Sequence, residues 1–550
     1  MIQLGISAFY HDSAACIVKD GKVIAAAEEE RFTEIKHDNS FPTNAIKWCL
    51  KYCNLTLQDI DEVDWYEIPE LKKDRVLQTF KKRWWKTRKL KKKFLQNYKV
   101  NDPVKILREM GYEGDIVYTP HHLSHAAFSY LTSPFKESAI LSVDGVGEWD
   151  TVSIWKGEEN NIEYLYGIQF PNSLGLLYSA LTAYLGFKPN EGEYKVMGLA
   201  PYGNPNIFYS RLDEVFNTTD ELKLNMKFFS WEYDEDVMFN IELAKLLGIL
   251  PRLPEEPIEQ AHKDLAAALQ KIYEREFLKL VDKAKQLTGS DNLCLSGGCA
   301  YNGVANAKAY KYFKHIHIPF APSDAGSAIG ACLFNYNGER KDNTSPYLGP
   351  ETSEHSVKAV LDSMKVKYKL FQDDNAVCAA TARLIGEGKI VAWFQGRMEF
   401  GARALGNRSI LANPTIPDMR KKLNMVIKKR EGFRPFAPSV LKEYQDKYFD
   451  VVEDIPYMNQ VVTAKDETFP SATHVDGTAR VHTVTHNQNS KYALLLHHVG
   501  NVTGHPVVLN TSFNLKDQTI TLSPRQAVER YLSSKIDVLV MGNFIIYKRW

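Results

Sequence analysis

Cysteine is scarce in this sequence, and the cysteines present show no paired spacing. The 550 residues include seven cysteines, an odd number, and no C-x-x-C pattern. Small secreted scaffolds and most structural zinc sites depend on closely paired cysteines. The sequence therefore excludes a disulfide-rich secreted scaffold, and we expect reduced thiols in a cytoplasmic protein.

Long apolar runs and an excess of one charge are also absent. No window approaches the roughly 18 apolar residues of a membrane-spanning helix. The amino terminus, MIQLGISAFYHDS, shows neither a basic leader nor an apolar stretch of signal-peptide length. The 68 basic and 67 acidic residues leave a net charge of +1, which is unlike proteins that coat nucleic acids. We expect no membrane span and no targeting segment.

The composition is that of a globular protein with more than one domain. The chain is 44% hydrophobic and 25% charged, and domains of about 100 to 200 residues predict roughly two to four units. A polar stretch at residues 337–356 holds proline and glycine, as interdomain linkers do. We therefore predict two α/β domains, one over residues 1–345 and the other over residues 350–550.

Two segments of the first domain share a plan of strand, glycine-containing loop or turn, and strand. They cover residues 2–30 and residues 139–160. The duplicated actin-like ATPase fold places two phosphate loops face to face in this way, which is an analogy at the level of the fold. Glycines at later strand-to-helix junctions, Gly297-Gly298 and Gly326, allow a nucleotide to approach the backbone. Such turns are also common without a ligand.

Three histidines lie within five residues in HHLSHAAFSY, residues 121–130. On a helix, His121 and His125 project from one face and can bind one ion, whereas His122 points elsewhere. Alone, this spacing also fits histidines that pack or cap a helix. Asp144 and Asp324, each at a strand end, add two carboxylates, and the combined set suits Fe(II), Mn(II) or Zn(II). We therefore favour a metal site. No H-E-x-x-H motif is present, so a zincin-type protease is unsupported.

Ten motifs occur in an order that spans nearly the whole chain. They are HDSAA, EEERFTEIKH, HHLSHAA, SVDGVGE, GEYKVMGLAPYG, LSGGCAYN, SDAGSAIGA, GRMEFGARALGNRSIL, REGFRPFAPSV and LNTSFN. With them the sequence resembles the O-carbamoyltransferases of the NodU/CmcH type, which modify sugars, antibiotics and nodulation factors. The resemblance implies an actin-like (ASKHA) metal domain, related to threonylcarbamoyl-transfer enzymes, joined to a YrdC-like domain.

The resemblance also implies a reaction. Carbamoyl phosphate and ATP, the latter with Mg, give carbamoyl-adenylate in the YrdC-like domain. The carbamoyl group then passes to a hydroxyl of a small sugar, antibiotic or glycolipid-like acceptor at the metal domain. The expected metal is Fe(II), with Mn(II) or Zn(II) as alternatives, while the acceptor and the oligomeric state stay open.

Motif by motif, the resemblance assigns residues to roles. The implied metal ligands are His121, His125, Asp144 and Asp324, and the residues beside the adenylate in the first domain are Gly297, Gly298, Asn302 and Gly326. The implied catalytic residues, near the acceptor and the carbamoyl group, are His11, Asp12, Lys36 and Lys195. The residues implied for ATP and carbamoyl phosphate in the second domain are Arg403, Arg408, Lys428, Arg430, Arg434, Arg480, Asn510, Ser512 and Asn514.

The charge of the second domain agrees with a phosphate site. Residues 387–434 hold eleven Lys or Arg against four acids, and guanidinium groups bind phosphate oxygens bidentately. A solvated basic face is the alternative, although glycines such as Gly401 and Gly432 break the segment into turns. Two departures from the family motifs, Ala402 for proline and His482 for glutamine, adjust loop geometry without removing a phosphate ligand.

A strongly basic segment, residues 72–99, carries thirteen Lys or Arg and one acid. Its aromatic residues lie at helical spacing, which predicts an amphipathic helix with a solvated basic face. The alternatives are a surface for an anionic substrate, for lipid headgroups or for RNA, with Trp84 and Trp85 stacking on bases. A tRNA-modifying or RNA-binding ATPase is thus the alternative function, although the balanced net charge makes nucleic acid the less favoured partner. A sugar kinase or actin-like scaffold is a third possibility that leaves the second domain without a role.

Overall fold

The computed structural model describes residues 1–82, 91–92, 94–95, 98, 100–218, 221–234 and 237–548. The strands are β1 (Ile2–Ser7), β2 (Ala14–Lys19), β3 (Lys22–Glu28), β4 (Glu62–Trp65), β5 (Asp115–Tyr118), β6 (Glu137–Val143), β7 (Asp150–Glu158), β8 (Asn161–Gln169), β9 (Asn292–Ser296), β10 (His315–His317), β11 (Lys369–Leu370), β12 (Val391–Phe394), β13 (Arg408–Ala412), β14 (Ala437–Leu441), β15 (Val462–Thr463), β16 (Thr478–Ala479), β17 (His482–Val484), β18 (Val507–Ser512), β19 (Val538–Met541) and β20 (Phe544–Tyr547). The α-helices are α1 (Glu30–Thr33), α2 (Thr43–Tyr52), α3 (Pro69–Lys82), α4 (Pro103–Glu109), α5 (His121–Leu131), α6 (Leu174–Tyr184), α7 (Glu193–Leu199), α8 (Tyr209–Asp213), α9 (Ile241–Leu247), α10 (Gln260–Thr288), α11 (Gly303–Lys308), α12 (Asp324–Asn335), α13 (Glu354–Ser363), α14 (Asp374–Gly386), α15 (Met419–Lys422), α16 (Lys442–Tyr448), α17 (Ser490–Thr503) and α18 (Pro524–Ser533).

Two five-stranded sheets in the first half of the chain have the same strand order. One is ordered β3-β2-β1-β4-β5 and the other β8-β7-β6-β9-β10. The central strand of the first sheet, β1, pairs antiparallel with β2 and parallel with β4. The central strand of the second sheet, β6, likewise pairs antiparallel with β7 and parallel with β9. This repeated topology confirms the predicted mixed α/β class and the predicted duplication.

The second half of the chain forms one eight-stranded sheet, ordered β11-β20-β19-β12-β13-β18-β14-β17. Alternate residues of β12 point into two different cores: Ala392 and Phe394 into one, Val391 and Trp393 into the other. Because side chains alternate along a strand, both faces of this sheet are buried. Helices α13 and α18 cover one face, and α14 and α17 cover the other.

Contacts divide the chain into two compact units. The first comprises residues 1–25 and 39–344, and the second comprises residues 26–38 and 345–550. The predicted first domain, residues 1–345, thus differs from the first unit by residues 26–38 and by residue 345. Arg31 explains the difference at residues 26–38, because its buried guanidinium donates to the carbonyl oxygen of Gly401 at 3.0 Å. The N–H of Gly401 in turn donates to the carboxylate of Glu28 at 3.0 Å.

The basic segment is helical where its first part is described. Helix α3 covers Pro69–Lys82, whereas residues 83–90, 93, 96–97 and 99 lie outside the described residues. Within the described ranges, no helix combines the length and the apolar content that crossing a membrane requires.

Candidate metal centre and candidate anion site

Three elements of the first unit carry the four predicted metal ligands. His121 and His125 lie on the first two turns of α5, which is buried along its whole length. Asp144 follows β6 directly, and Asp324 is the first residue of α12. Each of the four residues is at most 4% exposed. The fold therefore gathers residues from distant parts of the sequence into one interior cluster.

Two glycines of α12 allow it to cross α5 closely. A Cβ atom at Gly330 would lie 1.9 Å from the carbonyl oxygen of Ser124, and one at Gly326 would lie 2.0 Å from that of Ala321. The Gly326 position would also meet the ring of Phe128 at 2.5 Å. These distances are far shorter than van der Waals contact, so larger residues do not fit. Gly326 thus serves helix packing, and its predicted nucleotide contact stays a prediction.

The four side chains present their ligand atoms to one another. Nε2 of His121 lies 3.1 Å from Nε2 of His125 and 3.1 Å from Oδ2 of Asp144. Nε2 of His125 lies 3.4 Å from Oδ1 of Asp324. All four ligand atoms lie within 4.8 Å of one another. Since bonds from zinc-like ions to nitrogen and oxygen are about 2.0–2.2 Å long, atoms at such separations can surround a single ion.

The charges of this cluster fit a cation. Neither oxygen of the buried Asp324 carboxylate has a hydrogen-bond partner among the described residues, and burying an unmatched charge is costly. Burial by itself raises the pKa of Asp144, yet hydrogen bonds from His121 and His125 hold that pKa well below its usual value. Burial lowers the pKa of His125, but Asp144 and Asp324 outweigh it and raise that pKa to about 9. The two carboxylates thus stabilise positive charge at this point, whether a proton or a metal ion supplies it.

Hydrogen bonds outside the cluster orient its ligands. Nδ1 of His125 lies 3.0 Å from Oγ of Ser327, which leaves Nε2 facing the cluster. Nδ1 of His122 lies 2.8 Å from Oγ of Ser153, and burial lowers the pKa of His122 to about 3. His122 is therefore a neutral packing residue outside the cluster.

The glycine loop after β9 supports Asp144. Gly297 has φ of 84°, and a Cβ atom there would lie 2.2 Å from the carbonyl oxygen of Val143. The N–H of Gly298 donates to Oδ1 of Asp144 at 3.0 Å. Asn302 caps α11 by accepting from the N–H of Ala305 at 3.2 Å. The loop therefore holds a metal ligand in place, and the adenylate contacts of these residues stay a prediction.

His11 and Asp12 lie in the loop that follows β1. Nδ1 of His11 is 2.8 Å from Oδ2 of Asp12. Burial lowers the pKa of His11, but the carboxylates of Asp324 and Asp12 outweigh it and raise that pKa to about 10. The carboxylate of Asp324, a predicted metal ligand, is thus among the charges that act on His11. The catalytic role of the pair stays a prediction.

The two lysines predicted near the acceptor lie in different units. Lys195 is on α7 of the first unit, with Nζ 5.5 Å from the ring centroid of Phe187. Lys36 belongs to residues 26–38 and therefore to the second unit. There it is one of the cations that, after burial, lower the pKa of Lys428. The structure thus groups Lys36 with the predicted phosphate-binding residues.

Lys428 is the centre of the candidate anion site in the second unit. It follows a π-helical turn, Leu423–Ile427, and is only 3% exposed. Its Nζ donates to the carbonyl oxygens of Ser512 at 2.6 Å and Asn514 at 3.0 Å, and to Oδ1 of Asn514 at 2.7 Å. Three residues predicted to bind phosphate are therefore in direct contact, and within the described part of the chain the ammonium group donates to neutral oxygens.

The charges that act most strongly on Lys428 are positive. Burial is the largest cause of its pKa falling well below the usual value, and Arg430, Lys36, Arg434 and Arg530 lower it further. Two acids lie at the edge of this group, with Glu431 at 2.6 Å from Arg434 and Glu34 at 3.5 Å from Arg530. Five cations against two acids leave an excess of positive charge that suits phosphate groups. Sequence reasoning missed Arg530, because α18 lies far from the basic run.

Arg408, a predicted phosphate ligand, is buried against backbone carbonyl groups. It is fully buried, and its guanidinium donates to carbonyl oxygens of Gln395, Asn407, Pro350 and Gly396. A guanidinium group whose Nη atoms already bind four carbonyls has a structural role. These contacts give Arg408 a structural role that the sequence does not reveal, and its contact with phosphate stays a prediction.

Asn510 and His482 also have packing contacts. Nδ2 of Asn510 donates to the carbonyl oxygen of Ala404 and to Oγ of Ser439, both at 3.1 Å. Nδ1 of His482 lies 2.9 Å from the same Oγ, and its ring stacks on Tyr492. Burial lowers the pKa of His482 to about 3. The histidine that replaces the usual glutamine is thus a neutral core residue, and Asn510 secures the neighbouring loop.

The remaining arginines predicted to bind phosphate lie in or near turns of the second unit. Arg403 lies between β12 and β13, and Arg480 lies between β16 and β17. Nε of Arg430 donates to Oδ1 of Asn424 at 2.8 Å. Their contacts with phosphate stay predictions.

Two family models match the chain over most of its length. The model described as carbamoyltransferase N-terminus matches residues 2–333, and the one described as carbamoyltransferase C-terminus matches residues 382–548. The chain belongs to the carbamoyltransferase family. The family resemblance and the prediction of a carbamoyltransferase enzyme are thereby confirmed.

Relatives match this carbamoyltransferase nearly from end to end. The nodulation protein NolNO of Sinorhizobium fredii is 35% identical over 558 residues, covering 98% of this chain and 79% of the relative. An uncharacterised protein of Synechocystis sp. is 38% identical over 602 residues, covering 99% of this chain and 96% of the relative. These matches give no support to the RNA-binding alternative.

Solved structures resemble the carbamoyltransferase weakly. Full-length HypF in its phosphate- and nucleotide-bound form is 14% identical with a TM-score of 0.33, covering 61% of this chain and 55% of HypF. The activator of 2-hydroxyisocaproyl-CoA dehydratase from Clostridium difficile, with bound ADPNP, is 13% identical with a TM-score of 0.33, covering 61% and 95%. Neither likeness carries an argument about this chain.

Proposed function

We propose that this chain is an ATP-dependent O-carbamoyltransferase that uses both candidate sites. One observation carries the proposal: a single carbamoyltransferase chain holds a buried cluster with two carboxylates and a separate cluster of cations centred on the buried Lys428. The cluster around Asp324 combines two carboxylates with two imidazoles, and the cluster around Lys428 is predominantly cationic. The first suits a metal ion and the second suits phosphate groups.

The second unit is proposed to form carbamoyl-adenylate in a YrdC-like fold. Carbamoyl phosphate and water release phosphate and leave carbamate, whose oxygen attacks the α-phosphorus of ATP while pyrophosphate departs. Lys428 and the cations around it stabilise the phosphate charges, and Mg accompanies ATP. The excess of positive charge in this cluster supports the proposal, because both substrates are highly charged anions.

The first unit is proposed to transfer the carbamoyl group in an actin-like fold. A hydroxyl oxygen of a small sugar-like, antibiotic-like or glycolipid-like acceptor attacks the carbamoyl carbon. The bond from that carbon to the adenylate oxygen then breaks, and AMP leaves. Either His11 or Asp12, which are hydrogen bonded to each other, is proposed to take the hydroxyl proton.

A divalent metal is proposed at the four-residue cluster. His121, His125, Asp144 and Asp324 are the residues that hold it, and Fe(II) is the proposed ion, with Mn(II) and Zn(II) as alternatives. When bound, the ion supplies Lewis acidity toward the phosphate or carbonyl oxygen of the adenylate. The orphaned oxygens of Asp324 support the assignment.

The test is an acceptor screen with labelled carbamoyl phosphate, ATP and Fe(II), read by mass spectrometry and by pyrophosphate release. We expect pyrophosphate release that requires carbamoyl phosphate, and a product heavier than its acceptor by one carbamoyl group. ATP turnover that is indifferent to carbamoyl phosphate contradicts the proposal. An assay without acceptor separates the two half-reactions.

A further inference from the structure

A buried glutamate outside the four-residue cluster connects His121 to the residue that precedes helix α3. Glu148 is 7% exposed. Its Oε1 accepts hydrogen bonds from the backbone N–H of Ile68 at 2.7 Å and from that of His121 at 2.9 Å. Its Oε2 lies 3.1 Å from the same His121 nitrogen. One carboxylate thus holds two backbone segments that are far apart in the sequence.

The position of His121 at the start of its helix explains why a carboxylate contacts it. His121 is the first residue of α5, and Pro120 before it provides no side-chain cap. A helix N-terminus carries about half a positive charge, which opposes a cation bound to His121. Glu148 places a negative charge at the same N–H and satisfies a donor that the helix leaves unpaired.

The turn that carries Glu148 also carries a metal ligand. Asp144 and Glu148 lie in one loop, which is closed by a hydrogen bond from the N–H of Gly147 to the carbonyl oxygen of Asp150 at 2.9 Å. A Cβ atom at Gly147 would lie 3.0 Å from the imidazole of His121. The loop therefore runs directly against the ligand that Glu148 contacts.

The segment before α3 packs on the same turn of α5. The ring of Tyr66 meets that of His121 edge to face, with centroids 5.3 Å apart. Oγ of Ser124 donates to the carbonyl oxygen of Tyr66 at 3.2 Å. Helix α3 then begins at Pro69, directly after Ile68. The hydrogen bonds of Glu148 thus connect His121 to Ile68, the residue just before α3.

We propose that Glu148 is a positioning residue of the metal centre. It fixes the first turn of α5 so that Nε2 of His121 faces the other three ligands, and it offsets the positive end of the helix dipole beside a bound cation. This inference rests on the proposed function only in requiring that the four-residue cluster binds a divalent metal. It assigns Glu148 no direct contact with substrate.

The test is a Co(II) titration of the full chain, followed by the ligand-field absorption of the bound ion. We expect Glu148→Ala to weaken Co(II) binding about 10- to 100-fold, the usual range for groups that orient ligands, and to alter the spectrum. Glu148→Gln keeps one acceptor oxygen but loses the charge, so a smaller loss is expected. A matched control is Glu276→Gln, because Glu276 is 3% exposed in the same unit and pairs with Arg275 at 2.6 Å.

The outcomes are distinct. Wild-type affinity and spectrum in Glu148→Ala overturn the proposal, as does an equal loss in Glu276→Gln. A circular dichroism spectrum and thermal unfolding like those of wild type serve as the check that the Glu148→Ala chain is folded. A wild-type protein that binds no Co(II) overturns the metal centre and the role of Glu148 together. Absence of pyrophosphate release from wild type contradicts the proposed function but leaves the Co(II) result valid.

Discussion

The two candidate sites differ in the sign of the charge that burial leaves unmatched. Around Asp324, two carboxylates face two imidazoles, and neither oxygen of Asp324 has a hydrogen-bond partner within the described part of the chain. Around Lys428, neutral oxygens hold a buried ammonium group, and the charges that act most strongly on it are positive. Burying an unmatched charge is costly in both cases. Each site therefore gains stability from a ligand of opposite sign.

The pKa values report the same contrast. Burial lowers the pKa of both His125 and Lys428, but neighbouring carboxylates reverse the effect at His125 and raise its pKa to about 9. Neighbouring cations reinforce the effect at Lys428 and push its pKa well below the usual value. The first site thus favours an added cation and the second an added anion.

The largest expected effect is the loss of one metal ligand. Asp324→Ala and His125→Ala should each weaken Co(II) binding by more than the roughly 100-fold seen for groups that only orient ligands. Carbamoyl transfer should be abolished while carbamoyl-phosphate-dependent pyrophosphate release persists. The measurements are Co(II) titration and the two half-reaction assays. His122→Gln, a change on the same helix outside the cluster, is the control, and equal loss in this variant contradicts the ligand assignment.

Arg408→Met should lower stability in the second unit by about 3 kcal/mol, because four carbonyl oxygens lose a charged donor. If Arg408 is structural, phosphate should still raise the melting temperature of the variant as it does for wild type. Calorimetry with and without phosphate measures both effects. If phosphate no longer raises the melting temperature of a variant that remains folded, the prediction that Arg408 binds phosphate is supported.

Lys428→Met removes a buried charge without a matching acid, but it also leaves three acceptor oxygens without their donor. Because these effects oppose each other, the net change in the stability of the apo chain should be within about 1 kcal/mol near neutral pH. The unfolded chain binds the lysine proton up to about pH 10.4, whereas the folded chain releases it at a lower pH. Wild-type stability should therefore rise with pH between these two values, by up to about 1.4 kcal/mol per unit.

Unfolding in urea across this pH range checks the Lys428 prediction. The Lys428→Met variant should lose that part of the slope, together with the stabilisation by phosphate and the formation of adenylate. It should still bind Co(II) normally. An unchanged slope shows that Lys428 is not the buried cation inferred here.

His482→Gln should have the smallest effect. Glutamine keeps a hydrogen bond with Ser439 but loses the stacking on Tyr492, which costs about 1 kcal/mol or less near neutral pH. Because the folded-state pKa of His482 is about 3 against 6.5 when unfolded, wild type loses stability as pH falls through this window. The variant should lose less, as acid unfolding monitored by circular dichroism can show; equal acid sensitivity contradicts a buried neutral imidazole.

Local patterns in the sequence predicted a large part of the fold and of the metal site. The repeated plan of strand, glycine-containing loop or turn, and strand predicted the duplication, and the four-residue spacing of His121 and His125 predicted a shared helix face. Asp144 was found because it directly follows a strand, whereas Asp324, which was also predicted at a strand end, is the first residue of α12. These features depend on residues that are close together in the sequence, so they can be predicted from the sequence.

Other features escaped because they depend on contacts between distant segments. Glu148 lies in the SVDGVGE motif, but no nearby residue in the sequence shows that its carboxylate reaches the N–H groups of Ile68 and His121. The burial of Arg408 is likewise not evident from its motif. Lys36 reads as part of the first domain until residues 26–38 are seen to pack with the second unit.

The sequence by itself determined the family, the mixed α/β class and the residue types at both sites, because these follow from motifs and local periodicity. Only the tertiary structure decided which charges are buried and which are matched. The sequence alone does little to distinguish Asp324 and Lys428 from the other aspartates and lysines. Their chemistry comes from low solvent exposure and from neighbours that include residues hundreds of positions away, since desolvation and Coulomb interactions depend on distance in space.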